Sequence, residues 1–88
     1  MYDIQMSAKA KADVQRLPNH ISNRIIEKLK EYRAAPDPMR FATRLSGAWR
    51  GLYRFRIGDY RAIFEKSKDG QLVILLVLRV KHRREVYE

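Results

Sequence analysis

Apolar and polar residues alternate from the start of the chain. Tyr2, Ile4 and Met6 fall on one side and Asp3 and Gln5 on the other, so Tyr2 to Met6 is expected to form a short half-buried strand. The period then lengthens. Ser7 is suited to cap a helix, because its side-chain oxygen can accept from a free N–H of the first turn. From Ala8 to Leu17, the residues Ala10, Val14 and Leu17 recur at i, i+4 and i+7, one helical face. Pro18 ends that helix, since the residue before proline avoids the helical region. Asn19 can cap a second helix, whose apolar stripe is Ile21, Ile25, Leu29 and Tyr32, widened by Ile26. Pro36 and Pro38 close it. The two helices are expected to pack as an antiparallel hairpin, with Arg24, Glu27, Lys28, Lys30 and Glu31 on a solvated face.

After Met39 the period drops to two. Tyr53, Phe55 and Ile57 share one face of a strand running from Leu52, and Leu52, Arg54 and Arg56 share the other. Gly58-Asp59 reads as a two-residue hairpin turn, with glycine supplying a positive φ. Tyr60 to Glu65 returns as the next strand, Lys66 to Gly70 reads as a longer hairpin loop, and Gln71 to Val80 as a third strand. The apolar run Leu72 to Leu78 suggests a central strand buried on both faces. The order β-α-α-β-β-β implies an α+β fold: a single domain over 1–88, with a two-helix hairpin on one face of a small antiparallel sheet.

Composition narrows the function. The chain has 88 residues, 19 Lys plus Arg against 10 Asp plus Glu, a net charge of +9, and a hydrophobic fraction of 45% that is enough for a core. With no Cys there is no disulfide framework, no thiol nucleophile and no cysteine zinc site; His20 and His82 are too far apart in sequence to suggest a metal centre. Neither a signal peptide nor a run of about 20 apolar residues is present, so a soluble, cytoplasmic protein without a membrane role is expected. The positive charge favours an anionic partner: nucleic acid, a membrane surface or an acidic protein.

That charge is unevenly distributed. Arg40, Arg44, Arg50, Arg54, Arg56 and Arg61 are accompanied by one acid, Asp59, and Arg79, Lys81, Arg83 and Arg84 follow. If the helices cover the face bearing Tyr53, Phe55 and Ile57, then Arg54 and Arg56 point to the open one. Arginine binds phosphate bidentately and stacks on bases. The plainer alternative is that long solvated side chains cover an otherwise bare sheet. Tyr53, Phe55, Tyr60 and Phe64 read mainly as core, whereas Tyr87 lies beyond the last strand beside Arg83 and Arg84. Histidine is the residue type most often used to carry protons at physiological pH, and His82 reads either as a proton carrier or as a structural hydrogen-bonder.

Three stretches carry a resemblance. Arg44-Leu45-Ser46-Gly47, then Trp49 through Gly58-Asp59-Tyr60-Arg61 to Glu65, then Val77 through His82-Arg83-Arg84-Glu85-Val86-Tyr87, are similar to the RelE branch of the RelE/ParE toxin superfamily. Length and element order agree, while Tyr2 to Pro38 matches only in pattern. The resemblance implies the toxin of a type II toxin–antitoxin system, a ribosome-dependent endoribonuclease. Such toxins cut mRNA in the A site without metal or cofactor, the 2′-OH attacking its own adjacent phosphate. By position, Arg54 and Arg56 match the paired basic residues of the second strand, which are lysines in the best-studied pattern. Arg61 matches the arginine holding the scissile phosphate, Tyr87 the proposed general base, and Arg83 the stabiliser of the leaving oxygen; His82 can supply a proton there. Arg44, Arg50, Arg79, Lys81 and Arg84 are expected to bind RNA or the ribosome. The implied partners are ribosome-bound mRNA and an acidic, partly disordered antitoxin in a hetero-oligomer. Two other readings remain at this stage: a ParE-like gyrase poison without nuclease activity, and a non-catalytic RNA-binding module.

Overall fold

The computed structural model describes residues 1–86. The chain runs through β1 (Tyr2–Met6), α1 (Ala8–Gln15), α2 (Asn19–Ala34), a 3-10 turn (Pro38–Phe41), β2 (Ala42–Arg44), β3 (Tyr53–Ile57), β4 (Tyr60–Asp69) and β5 (Leu72–His82). Further 3-10 turns occupy Gly47–Trp49 and Arg83–Glu85. The strands form one sheet in the order β1-β5-β4-β3-β2, with the helices on one face.

The α+β architecture agrees with the sequence pattern, and the sheet differs from it in three places. First, the sheet is mixed: β1 runs parallel to β5, Tyr2 opposite Val73 through Met6 opposite Val77, and the other pairs are antiparallel. Second, β2 is a three-residue edge strand with no period long enough to read. Third, Lys66–Asp69 is strand rather than loop, pairing with Leu72–Leu75. Backbone pairing continues there although the side chains turn polar, because the N–H and C=O groups of β5 need partners whatever their side chains. The turn shrinks to two residues, with Gly70 at φ +62°; Gly58 takes φ +59° in the preceding hairpin.

The helices are tied down by few, specific contacts. Ser7 Oγ accepts from Ala10 N at 3.1 Å and donates to Leu78 O at 3.0 Å, so the cap of α1 also grips β5. Asn19 is the first residue of α2 rather than its cap, and Pro18 takes that position without a side-chain bond. Ser22 Oγ instead closes the helix joint, donating to Val14 O at 2.7 Å. A register shift opposite Ile63/Phe64 makes Leu78 a bulge. Beyond it, α1 takes over the edge of β5 that β1 has left. Asp13 accepts Val80 N at 2.9 Å and the fork of Arg79 at 2.8 and 3.0 Å.

The main core lies between helices and sheet: Ile25, Leu29 and Tyr32 of α2 against Phe55, Ile57, Phe64, Leu75 and Val77. A ladder of rings runs through it, Phe41–Tyr32–Phe55–Phe64–Tyr53, with centroids 4.4 to 5.6 Å apart. The apolar run of β5 is buried only on this side, at Leu75, Val77 and Val80; Leu72, Ile74, Leu76 and Leu78 are half-buried.

Candidate functional site

Strand alternation decides which cations can meet. Directly paired residues share a face, and Phe55 and Ile57 are committed to the core, so Arg54 and Arg56 project from the opposite face. Register then builds two rows across three strands. Arg56 lies opposite Arg61, which lies opposite Lys81; Arg54 lies opposite Ile63, which lies opposite Arg79. Five of these six positions are basic, on strands about 4.8 Å apart. Like charges directly opposite one another oppose sheet pairing, and they concentrate positive potential on this face.

This face is not bare. Leu45, Ile63 and Val86 form a second small core, with Trp49 and Leu52 packed against it. The loop from β2 to β3 and Val86 thus pack onto Ile63 and leave the cations around a narrow apolar plug. No sequence signal announced this cluster, because its members come from three distant segments.

The basic residues differ in how they are held. Arg56 is exposed. Arg61 is only 7% exposed, and its Nη1 donates to Gly58 O at 3.1 Å and Tyr60 O at 3.0 Å. It is a fixed charge below the surface, where the lower dielectric extends its field. Lys81 pairs with Glu85 at 3.5 Å. Arg83 stands at the β3–β4 turn: its N donates to Asp59 O at 2.8 Å, and its Nε lies 3.9 Å from Asp59 Oδ1. Arg50 and Arg84 are exposed. Arg79 is spoken for by Asp13. Hydrogen bonding from Arg79 holds the Asp13 carboxyl below the usual carboxylate range; burial opposes this, and Val80 N–H and the charges of Arg79 and Lys81 add to it.

Two expected members stand apart. His82 pairs with Tyr60 on the helix-bearing side, its ring edge-on to Tyr60 at 5.3 Å. Its Nδ1 accepts from Arg84 N at 3.2 Å and caps the turn Arg83–Glu85, which fits the structural reading. Arg44 pairs with Tyr53, so it too lies on the helix-bearing face. Tyr87, the expected base, lies outside the described residues. Among the described residues no group of three or more His, Cys, Asp or Glu is placed to hold a metal ion, and no helix is long and apolar enough to cross a membrane.

Comparison with known proteins adds the family context. Residues 4–87 match the family model described as ParE toxin of type II toxin-antitoxin system, parDE. No curated protein matches the chain significantly. Among solved structures, the RelBE2 toxin-antitoxin complex from Mycobacterium tuberculosis contains a similar chain, 25% identical with a TM-score of 0.74, covering 93% of this chain and 98% of that one. The archaeal RelE-RelB complex from Pyrococcus horikoshii gives 28% identity and a TM-score of 0.65, over 93% and 94%. YafQ from E. coli, at 17% identity and a TM-score of 0.60 over the whole of both chains, shares the fold.

Proposed function

This chain belongs to the ParE toxin family of type II toxin–antitoxin systems, within the RelE/ParE superfamily, and from that premise we propose that it is a metal-free, ribosome-dependent endoribonuclease of the RelE type. The observation that carries the reading is the lateral row Arg56–Arg61–Lys81 with Arg54 beside it. A protein that only had to fold gains nothing from cations set opposite one another, whereas a bound phosphate backbone reverses the sign of that interaction.

The reaction asks for alignment and charge stabilisation, since the nucleophile belongs to the substrate. The 2′-OH loses its proton to a base and attacks the adjacent phosphorus. The bond to the 5′-oxygen breaks, and that oxygen takes a proton from solvent water. The products are a 2′,3′-cyclic phosphate and a free 5′-OH. Arg54 and Arg56 would grip the strand, and Arg61 would stabilise the pentavalent phosphate from beneath. Arg83, a guanidinium that stays protonated, would stabilise the leaving oxygen as a charge. Tyr87 is the proposed base, because cations beside a phenol favour its ionised form. His82 is given no proton-transfer role, since its Nδ1 already accepts a backbone N–H. Arg50 and Arg84, both exposed, would contact RNA or the ribosome.

The proposed partner is an acidic antitoxin; the Mycobacterium tuberculosis and Pyrococcus horikoshii relatives described above were solved as toxin–antitoxin complexes. The family match with ParE toxins keeps one competitor in view, inhibition of gyrase without RNA cleavage. The deciding experiment is to express the chain without antitoxin in translating cells and map mRNA 5′ ends. Ribosome-dependent cuts that disappear with Arg61→Ala or Tyr87→Phe support cleavage. Intact mRNA with accumulated gyrase–DNA complexes overturns it in favour of the competitor.

A further inference from the structure

Tyr53 carries a second, smaller group of cations on the other side of the sheet. It lies opposite Arg44 on β2 and opposite Phe64 on β4, and Lys66 follows Phe64 on the same face. The Tyr53 ring stacks on Phe64 at 5.6 Å, which fixes its plane. Arg44 Cζ lies 5.8 Å from the centroid of that ring and Lys66 Nζ lies 5.6 Å from it. Hydrogen bonding from Arg44, opposed by burial and aided by the charge of Lys66, holds the phenol below its usual pKa.

What separates this group from ordinary surface stacking is its charge balance. Lys28 also lies over a ring, that of Tyr32, but it is paired with Glu31 at 3.3 Å. Lys81, Arg79 and Arg83 each have a carboxylate partner. Among the described residues neither Arg44 nor Lys66 has one, and both are exposed. Two cations and a phenolic hydroxyl converge where no described residue supplies an anion. The group also adjoins the basic rows: Tyr53 and Arg54 are consecutive and point to opposite faces, and only the three-residue edge strand β2 lies beyond them.

We propose that Arg44, Lys66 and Tyr53 form a second phosphate-binding site, which takes the backbone of an RNA strand passing round the β2 edge from the Arg54–Arg56 face. The proposal rests on the RNA-cleaving reading and adds to it a binding surface on the face that carries the helices. Arg44 and Lys66 supply the charge beside the Tyr53 ring, whose hydroxyl is offered to a phosphate oxygen. The phosphate belongs either to the mRNA or to ribosomal RNA, and both present the same chemistry.

The test uses the full chain with two probes, a single-stranded RNA oligonucleotide and vacant 70S ribosomes, each titrated over a salt series. Arg44→Ala with Lys66→Ala is expected to weaken binding about tenfold and to flatten the log–log salt dependence by about two contacts' worth. Arg44→Lys with Lys66→Arg, which keeps the charges, is expected to restore most of the affinity. On programmed ribosomes the alanine pair should raise KM with little change in kcat. A loss seen with the oligonucleotide assigns the phosphate to mRNA, and a loss confined to ribosomes assigns it to ribosomal RNA. Unchanged affinity and salt slope with both probes, while Arg56→Ala weakens binding, overturns the site and leaves the cleavage reading standing. If Arg56→Ala is also without effect, the RNA reading itself fails. A defect confined to binding an acidic protein partner overturns the site in favour of a protein-docking role.

Discussion

The two faces of the sheet are built from the same strands by opposite rules. On the helix-bearing face, Phe55, Ile57, Phe64, Leu75 and Val77 pack against α1 and α2 with almost no exposure. On the other, consecutive positions of the same strands hold Arg54, Arg56, Arg61 and Lys81 around a plug of three residues, Leu45, Ile63 and Val86. One face lowers the free energy of folding by removing apolar surface from water. The other sets like charges side by side, which opposes sheet pairing and gathers positive potential where an anion can bind. The period-two geometry of β3 lets a single five-residue strand serve both purposes.

Two neighbouring substitutions in β3 break that comparison most sharply. Phe55 is 0% exposed and touches both Tyr32 and Phe64, so Phe55→Ala should cost about 3–5 kcal/mol. That approaches the whole stability of a small domain, and denaturant unfolding should show a large fall in midpoint. Arg56→Ala, one residue on, should leave the unfolding free energy unchanged or raise it by up to about 0.5 kcal/mol, because it removes the repulsion with Arg61. Its effect belongs to function: cleavage of ribosome-bound mRNA should fall about a hundredfold, as expected when one preorganised charge is lost. A matching loss of stability at Arg56, or undiminished cleavage, would show that the two faces do not divide the work.

The division was largely legible in the chain itself. The alternation of Tyr53 to Ile57 assigned Arg54 and Arg56 to the face away from the helices, and the stripe Ile25, Leu29, Tyr32 identified the buried side of α2. What could not be read is tertiary in origin. The parallel pairing of β1 with β5 joins residues about seventy positions apart and leaves no local trace. Strand β2 exists because the edge of β3 needed a partner, and three residues carry no period. His82 looked like chemistry from its neighbours Arg83 and Arg84, but the strand register puts its ring beside Tyr60 and its Nδ1 under Arg84 N. Arg44 belongs to the same basic stretch of sequence as Arg54 and Arg56, but pairing with Tyr53 sets it on the opposite face.

Asp13 marks where the two faces meet, at the edge of β5, and it offers a test through pH. Its carboxylate accepts Val80 N–H and two N–H groups of Arg79, so Asp13→Asn should cost about 2 kcal/mol. The carboxyl is held below the usual carboxylate range in the folded protein. A group with a depressed folded pKa binds more protons when unfolded, so its stabilisation is fully present above about pH 4 and fades as pH falls through the folded value. The gap between the native chain and Asp13→Asn in denaturant midpoint should therefore be widest near neutrality and narrow below about pH 4. A gap independent of pH would mean that the Asp13–Arg79 pair contributes shape alone.

The smallest expected effect draws the comparison most finely. Val14 on α1 and Val86 near the end of the chain are both 6% exposed, one in the main core and the other in the small one. Truncating either to alanine removes the same two methyl groups, worth about 1.5 kcal/mol at most. At Val14 the higher helix propensity of alanine returns about 0.5 kcal/mol. Their stabilities should thus fall by similar, modest amounts. Their activities should not. Val86 immediately precedes Tyr87, the proposed base, in the sequence. Val86 itself is seated against Leu45 and Ile63, on the face that carries the basic rows. Val86→Ala loosens that seat and should lower kcat for mRNA cleavage several-fold beyond any loss of folded protein, whereas Val14→Ala should not. Equal kcat in the two variants, measured where both are fully folded, would reduce the small core to a patch that only keeps water from Ile63.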